Sequence, residues 1–369
     1  MMRKLRVMHF VTGGFSGATQ VAIDLVRASS EKDSAFESLL VLRRKRQTPH
    51  ERVEALRQEG LRVEVVPGAM HLATVAALIK LCRLERPDVL VAHGFSEHLW
   101  GRYAGWWAGV PHLVHVEHNS KERYTRWRLA QAHWLARRTD AIVGCSEGVK
   151  TRLLALGFPA AKVHAISNGI VMTPYEKASD LAYATREPGV VMTARFARQK
   201  DQITLIEAAK CLRDRGLRPT IWLAGGGNLR YQKKAQRRVH DLGLQDQVRF
   251  LGIHRDVPGL LMSQQIFVLS SHYEGMPLSL VEAMAAGCAV VGSAVPGIQE
   301  VIQDGRNGRL FAQGDAQALA DIVQDLLTHP QRAAQMATQA REDAQNAYTL
   351  QHMVQGYESL LQSLSGRST

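Results

Sequence analysis

Short apolar runs alternate with helical patterns along this chain, and the alternation occurs in two series. In the first, strand candidates at 5–11, 38–42, 62–66, 89–92, 112–116, 141–143 and 163–166 are separated by helical patterns such as 51–58, 72–84 and 146–156. Residues 168–189, with Gly169, Pro174, Pro188 and little apolar pattern, read as a linker. The alternation then restarts with strands at 190–194, 220–224, 248–251, 266–269, 289–291 and 309–311. Helices are expected near 202–213, 229–242, 257–262, 277–286 and 316–327, and from Pro330 to Leu364. Such alternation predicts parallel sheets with helices on both faces, and 369 residues exceed one ordinary core. The fold class is therefore α/β: two doubly wound Rossmann-like domains facing a central cleft, with C-terminal helices. The expected divisions are 1–170, 171–345 and a C-terminal helix at 346–369 free to pack back on the first domain.

The formal charge of +12 implies attraction to something anionic: nucleic acid, an acidic membrane face or phosphorylated ligands. No apolar run approaches the ~20 residues needed to span a bilayer, and the apolar segment after the first charges is too short for a signal peptide. The four cysteines are dispersed without a Cys-x-x-Cys pair, so neither a disulfide framework nor a zinc site is indicated. A cytoplasmic location is expected.

The richest local signal is Ile266 to Gly287. An apolar run suited to a buried parallel strand leads into a polar loop with Gly275. Pro277 suits a first helical position, and Gly287 sits where a C-terminal cap is wanted. This strand–loop–helix unit places a helix N-terminus at the carboxyl edge of a sheet, where uncapped N–H groups and the dipole favour phosphate. Glu274 stands in the loop. Glu282 lies five residues past Pro277, roughly 7.5 Å along the helix axis at ~1.5 Å per residue. Carboxylates beside a phosphate site ask for hydroxyl donors, which a sugar supplies; solvated glutamates are the bland alternative.

Arg195 and Lys200 follow the first strand of the second series and would emerge on the same edge, where a fork and a point charge can neutralise a diphosphate. Thr12-Gly-Gly-Phe-Ser-Gly17 is a Gly-rich turn between strand and helix, with Thr12 where a dinucleotide fingerprint wants glycine. His112, His115 and His118 recur every three residues, but strand alternation puts His115 opposite the other two, so a three-histidine metal site is not expected. No Asp-x-Asp pair exists to clip a divalent ion. Residues 120–138 read as a basic helix with Arg123, Arg126, Arg128, Arg137 and Arg138, and with Tyr124, Trp127 and Trp134 on one stripe. That pattern fits an interfacial membrane helix or an amphipathic helix with its aromatics in the core. No nucleic-acid-binding module accompanies the charge. Gly225-Gly-Gly227 is a turn for tight packing or ligand approach.

Glu274-Gly-Met-Pro-Leu-Ser-Leu-Val-Glu282 resembles the E-x7-E signature of retaining, GT-B-fold glycosyltransferases of family 4. Ile166-Ser-Asn-Gly-Ile170, Arg195-x4-Lys200, Trp222 to Asn228, Val248 to Gly252 and Gly297 to Gly305 resemble further family stretches, densely over 166–327 and sparsely before it. The resemblance implies that Arg195 and Lys200 hold the donor diphosphate, Glu282 the ribose hydroxyls and Glu274 the transferred sugar. It implies that Gly14 offers its amide to the distal phosphate and His118 touches the sugar. Gly275, Met276, Pro277 and Leu278 would line the phosphate and sugar site. Gln265 departs from the family, which often has an acidic residue there. No metal or cofactor is implied; a UDP- or GDP-linked sugar is the co-substrate.

The expected reaction is sugar transfer with retained configuration to a glycan or lipid-linked acceptor, as in bacterial cell-envelope polysaccharide and lipopolysaccharide synthesis, with contact to the anionic inner membrane face. Alternatives are a sugar-nucleotide epimerase of the same fold, a nicotinamide oxidoreductase using residues 12–17 with Arg43 and Arg44, or a basic membrane- or nucleic-acid-binding protein without catalysis.

Overall fold

The computed structural model describes residues 3–30, 34–46, 48–121 and 124–366. The chain divides into two compact units, Met1–Asn168 with Leu350–Thr369, and Gly169–Thr349.

In the first unit, strands β1 (Leu5–Thr12), β2 (Phe36–Arg43), β3 (Val63–Val66), β4 (Val89–His93), β5 (His112–Glu117), β6 (Ala141–Gly144) and β7 (Val163–Ala165) alternate with helices. These are α1 (Gly17–Ser29), α2 (His50–Gln58), α3 (His71–Glu85), α4 (Phe95–Ala108), α5 (Arg126–Ala136) and α6 (Glu147–Ala155). The described strands form one parallel sheet in the order β3-β2-β1-β4-β5-β6-β7. Its strands are buried on both faces: Met8, Phe10, Leu90 and Leu113 pack one cluster, and Val11, Leu40, Leu42 and Val63 another. That two-sided burial is why they read as continuous apolar runs.

The second unit repeats the scheme with β8 (Glu187–Thr193), β9 (Ile221–Ala224), β10 (Val248–Gly252), β11 (Gln264–Leu269), β12 (Ala289–Ser293) and β13 (Arg309–Phe311). Its helices are α7 (Gln202–Asp214), α8 (Leu229–Asp241), α9 (Val257–Ser263), α10 (Leu278–Ala285), α11 (Pro296–Gln299), α12 (Ala316–Thr328) and α13 (Pro330–Ala347). The order is β10-β9-β8-β11-β12-β13. In both sheets the chain reverses its direction of winding after the third strand, so the switch point lies between β1 and β4 in the first and between β8 and β11 in the second. Open α/β sheets bind ligands at that switch point, outside the carboxyl ends of the strands.

The predicted tail helix is two helices. α13 ends before Tyr348, and α14 (Leu350–Leu364) belongs to the first unit, where it packs beside α1. The expected linker also differs. Its 3-10 segment Thr173–Ser179 buries Tyr175 and Ala178. Arg186 donates to Ala286 O at 2.7 Å and Gly287 O at 2.9 Å, anchoring the segment to the end of α10. Single anchors carry no periodicity, so the stretch looked unstructured. Gly287 itself has φ +74° and terminates α10 as expected.

Among the described residues no helix is long and apolar enough to cross a membrane.

Candidate functional site

β8 and β11 are paired neighbours, so the loops that follow them share one edge of the second sheet. The loop after β8 carries Arg195 and Lys200; the loop after β11 carries Ser271, Glu274 and Gly275. Ser270 ties the two together by donating its hydroxyl to Asp201 O at 2.8 Å. His272 N–H adds a bond to Gln199 O at 2.7 Å.

Within this frame Lys200 and Glu274 form an ion pair, with Nζ 2.5 Å from Oε1 and both side chains largely buried. Ser271 donates its hydroxyl to the same oxygen at 2.6 Å, and Gln199 Nε2 donates to Oε2 at 3.2 Å. Glu274 is thus held as an acceptor at both oxygens. Ser271 and Gln199 were not foreseen. Both sit inside stretches that the sequence singled out, but nothing marks their partner. Arg195 is exposed, and its guanidinium has no partner among the described residues. The edge therefore presents one uncommitted fork and one ammonium shared with a carboxylate.

The turn Gly225-Gly-Gly227 explains how Arg195 is placed. Gly225 (φ +147°) lies so close to Ala194 that a Cβ would stand 2.1 Å from its carbonyl oxygen. Phe196 N–H donates to Gly226 O at 2.7 Å, and Asn228 N–H to Phe196 O at 2.9 Å. Of the two readings offered by the sequence, packing is the one observed: the turn clamps the backbone on both sides of Arg195.

Pro277 occupies the N-cap of α10 rather than its first helical position, and offers no side-chain cap. The first-turn amides at Leu278 and Ser279 lack such a cap, so the helix end keeps its capacity for an anion. Gly275, Met276 and Pro277 are buried beneath it. A Cβ on Gly297 would meet Gly275 O at 2.2 Å, so α11 packs directly on this loop. Glu282 is half-buried one turn further on, close enough to Tyr175 to bear on its hydroxyl. Gln265 donates to Arg186 O at 3.2 Å and Tyr183 O at 3.3 Å, a structural role that accounts for an amide at this position.

In the first unit, Gly13 and Gly14 follow β1. A Cβ on Gly13 would strike Arg43 O at 2.7 Å, whereas one on Gly14 would meet only Thr12 Oγ1 at 3.5 Å. Packing explains the first glycine and not the second. His118 follows β5 and stands in a row with two histidines absent from the sequence-based site: His93 Nδ1 is 3.2 Å from His118 Nε2, and His9 Nδ1 is 3.1 Å from His93 Nε2. Burial holds all three neutral, lowering His9 to about 3 and His118 to about 4 and pushing His93 well below its ordinary value.

His115, as expected, points to the other face. There His98, His115 and Glu117 bring three donor atoms within 4.8 Å of one another. Chemistry argues against a metal. Arg102 Nη2 lies 2.6 Å from His98 Nδ1 and can only donate. The His98 proton is therefore on Nε2, which faces Tyr124 OH at 3.2 Å.

The basic aromatic region departs from expectation. Thr125 caps α5 through Arg128 N–H, so the helix begins at Arg126, later than the predicted start; Arg137 and Arg138 lie past its end, and Arg123 falls outside the described residues. Its aromatics do not fill the core. Trp127 is 74% exposed, and Trp106, Trp107 and Trp134 are also exposed. Arg138 lies over Trp134 at 4.0 Å and Trp106 at 4.9 Å.

The two units match two family models in succession: Glycosyltransferase Family 4 over residues 15–173, and Glycosyl transferases group 1 over residues 176–343. Over 97% of this chain and 99% of the relative, the sequence is 26% identical to the lipopolysaccharide core biosynthesis glycosyltransferase LpsE of Rhizobium meliloti. It is 26% identical to an Escherichia coli UDP-Gal:alpha-D-GlcNAc-diphosphoundecaprenol alpha-1,3-galactosyltransferase over 68% of this chain and 69% of that one. The fold is similar to that of Anabaena Alr3699/HepE, solved with UDP and glucose, at a TM-score of 0.84 and 23% identity over 97% of this chain and 100% of that one. The switch-point architecture of both sheets and these matches agree: the chain belongs to the group 1 glycosyltransferases of GT-B fold.

Proposed function

We propose that this enzyme transfers a sugar from a nucleotide donor, with retained anomeric configuration and without a metal ion, to a glycan or lipid-linked acceptor of the bacterial cell envelope. The observation that carries this reading is the shared edge of β8 and β11, where Arg195, Lys200 and the uncapped start of α10 converge. Together they offer two cations and a helix dipole to one diphosphate. No Asp-x-Asp pair is present to hold a divalent ion, and here protein cations supply the countercharge.

Arg195 and Lys200 stabilise the charge that develops on the departing diphosphate as the anomeric carbon–oxygen bond breaks. Gly275, Met276, Pro277 and Leu278 line the phosphate and sugar. Glu282 is assigned the ribose hydroxyls and Glu274 the transferred sugar. From the first unit, Gly14 is assigned the distal phosphate and His118 the sugar. A retaining glycosidase would need a carboxylate nucleophile, but Glu274 already accepts from Lys200, Ser271 and Gln199. The acceptor hydroxyl therefore attacks on the face from which the diphosphate departs.

Envelope synthesis is supported by the relatives' names, and UDP by the neighbour solved with it. The exposed tryptophans and Arg138 suit a lipid-linked acceptor met at an anionic membrane, as does the charge of +12. A thermal-shift screen of UDP- and GDP-sugars, followed by chromatography with and without acceptor, tests the reading. Stabilisation by one sugar nucleotide and acceptor-dependent release of the nucleoside diphosphate are expected. Product formed without acceptor would indicate an epimerase instead.

A further inference from the structure

His9, His93 and His118 lie on one face of the first sheet, running diagonally across β1 and β4 to the residue after β5. Two ring-to-ring contacts join them, His9 Nδ1 to His93 Nε2 at 3.1 Å and His93 Nδ1 to His118 Nε2 at 3.2 Å. A contact between two ring nitrogens needs one N–H and one bare nitrogen. Each neutral imidazole carries a single N–H. These conditions leave two arrangements. If His9 donates from Nδ1, then His93 must donate from its own Nδ1, and His118 bears its proton on Nδ1. If His118 donates from Nε2, then His93 and His9 also carry theirs on Nε2. In either case all three rings share one tautomer.

We infer that His93 and His9 are positioning residues that lock the tautomer of His118 to their own, so that its Nδ1 changes its hydrogen-bonding sense toward the sugar only when the whole row changes together. This rests on the assignment of His118 to the transferred sugar. Among the described residues His118 Nδ1 is buried and has no hydrogen-bond partner, so it is the nitrogen at that end of the row left to serve a ligand. The opposite end, His9, lines a small cavity with Ser38 and Tyr357 beneath α14. Neutrality of the three rings follows from their burial.

The test uses the full chain labelled with ¹⁵N-histidine, free of ligand, in long-range proton–nitrogen correlation spectra at neutral pH. All three rings should show the same tautomer. A mixed set, or a His118 that averages while His9 and His93 do not, would overturn the proposal. His93→Leu should release His118 into two tautomers, and His93→Asn, which keeps an amide near the Nδ1 position, should restore part of the order. His9→Phe makes the same test from a site that does not touch His118: it leaves His93 Nε2 without its partner, so His118 should again become mixed. An unchanged His118 spectrum in His9→Phe would contradict the coupling. In turnover with UDP-glucose, or GDP-mannose if the screen favours guanosine, His93→Leu should lower kcat roughly 10²-fold with KM for the donor little changed, the cost of a misdirected contact. Released tautomers with unaltered kcat would leave the lock standing and remove His118 from the reaction, so the two readings fail separately.

Discussion

Lys200 Nζ stands 2.5 Å from Glu274 Oε1, joining the loop after β8 to the loop after β11. The pair has two consequences. It fixes the carboxylate's orientation together with Ser271 and Gln199, and it ties up one of the two cations offered to the diphosphate. Arg195 is uncommitted by comparison.

That asymmetry separates two substitutions. Lys200→Ala leaves a buried carboxylate without its cation and should cost about 3–5 kcal/mol of stability as well as activity. Arg195→Ala removes an exposed group and should leave stability within about 0.5 kcal/mol. Both should lower kcat roughly 10²–10³-fold, the usual loss for one donor to a developing anion. Thermal unfolding and turnover of each variant check this; equal loss of stability in both would contradict it.

Gly225→Ala should lower activity without touching any proposed ligand group. Its φ of +147° and the 2.1 Å approach of a Cβ to Ala194 O force the backbone before Arg195 to move. Strain of this kind costs about 1–3 kcal/mol. The expected outcome is a lower Tm together with weaker binding of UDP or GDP. Wild-type affinity in a destabilised variant would show that the clamp does not set Arg195.

Acid should unfold the first unit early. His9, His93, His98, His115 and His118 are all held below the ordinary histidine value by burial, His9 to about 3 and His118 to about 4. The unfolded chain takes up these protons near pH ~6.5 and the folded chain only at lower pH. Stability is therefore complete above pH ~6.5 and falls as pH drops toward 4, by about 1.4 kcal/mol per pH unit for each histidine fully engaged. Denaturant melts between pH 7 and 5 measure it. A flat profile would contradict the neutral, buried state of these rings.

Much of the fold was legible because parallel strands buried on both faces write themselves as apolar runs, and Gly and Pro punctuate them. Less of the site was. Lys200 meets Glu274 across 74 positions only because β8 and β11 are neighbours, an adjacency that no local pattern encodes. The row from His9 to His118 is hidden for the same reason. Conversely, the basic stretch at 120–138 suggested one long helix, because charge and aromatic spacing outweighed Thr125, whose side chain starts α5 late. The clamp at Gly225–Gly227 was visible as a turn but not as a support for Arg195.

The exposed tryptophans give a further test. Trp127→Ala with Trp134→Ala and Arg138→Ala should weaken sedimentation with vesicles of anionic phospholipid. Equal binding by variant and parent would remove the membrane from the proposal.

The central claim is that the second unit holds the donor diphosphate with Arg195, Lys200 and the start of α10. Crystals soaked with UDP or GDP test it most directly. The account predicts diphosphate density within hydrogen-bonding reach of both side chains and of the amides at Leu278 and Ser279. Density for the diphosphate at any other place on the chain would contradict it.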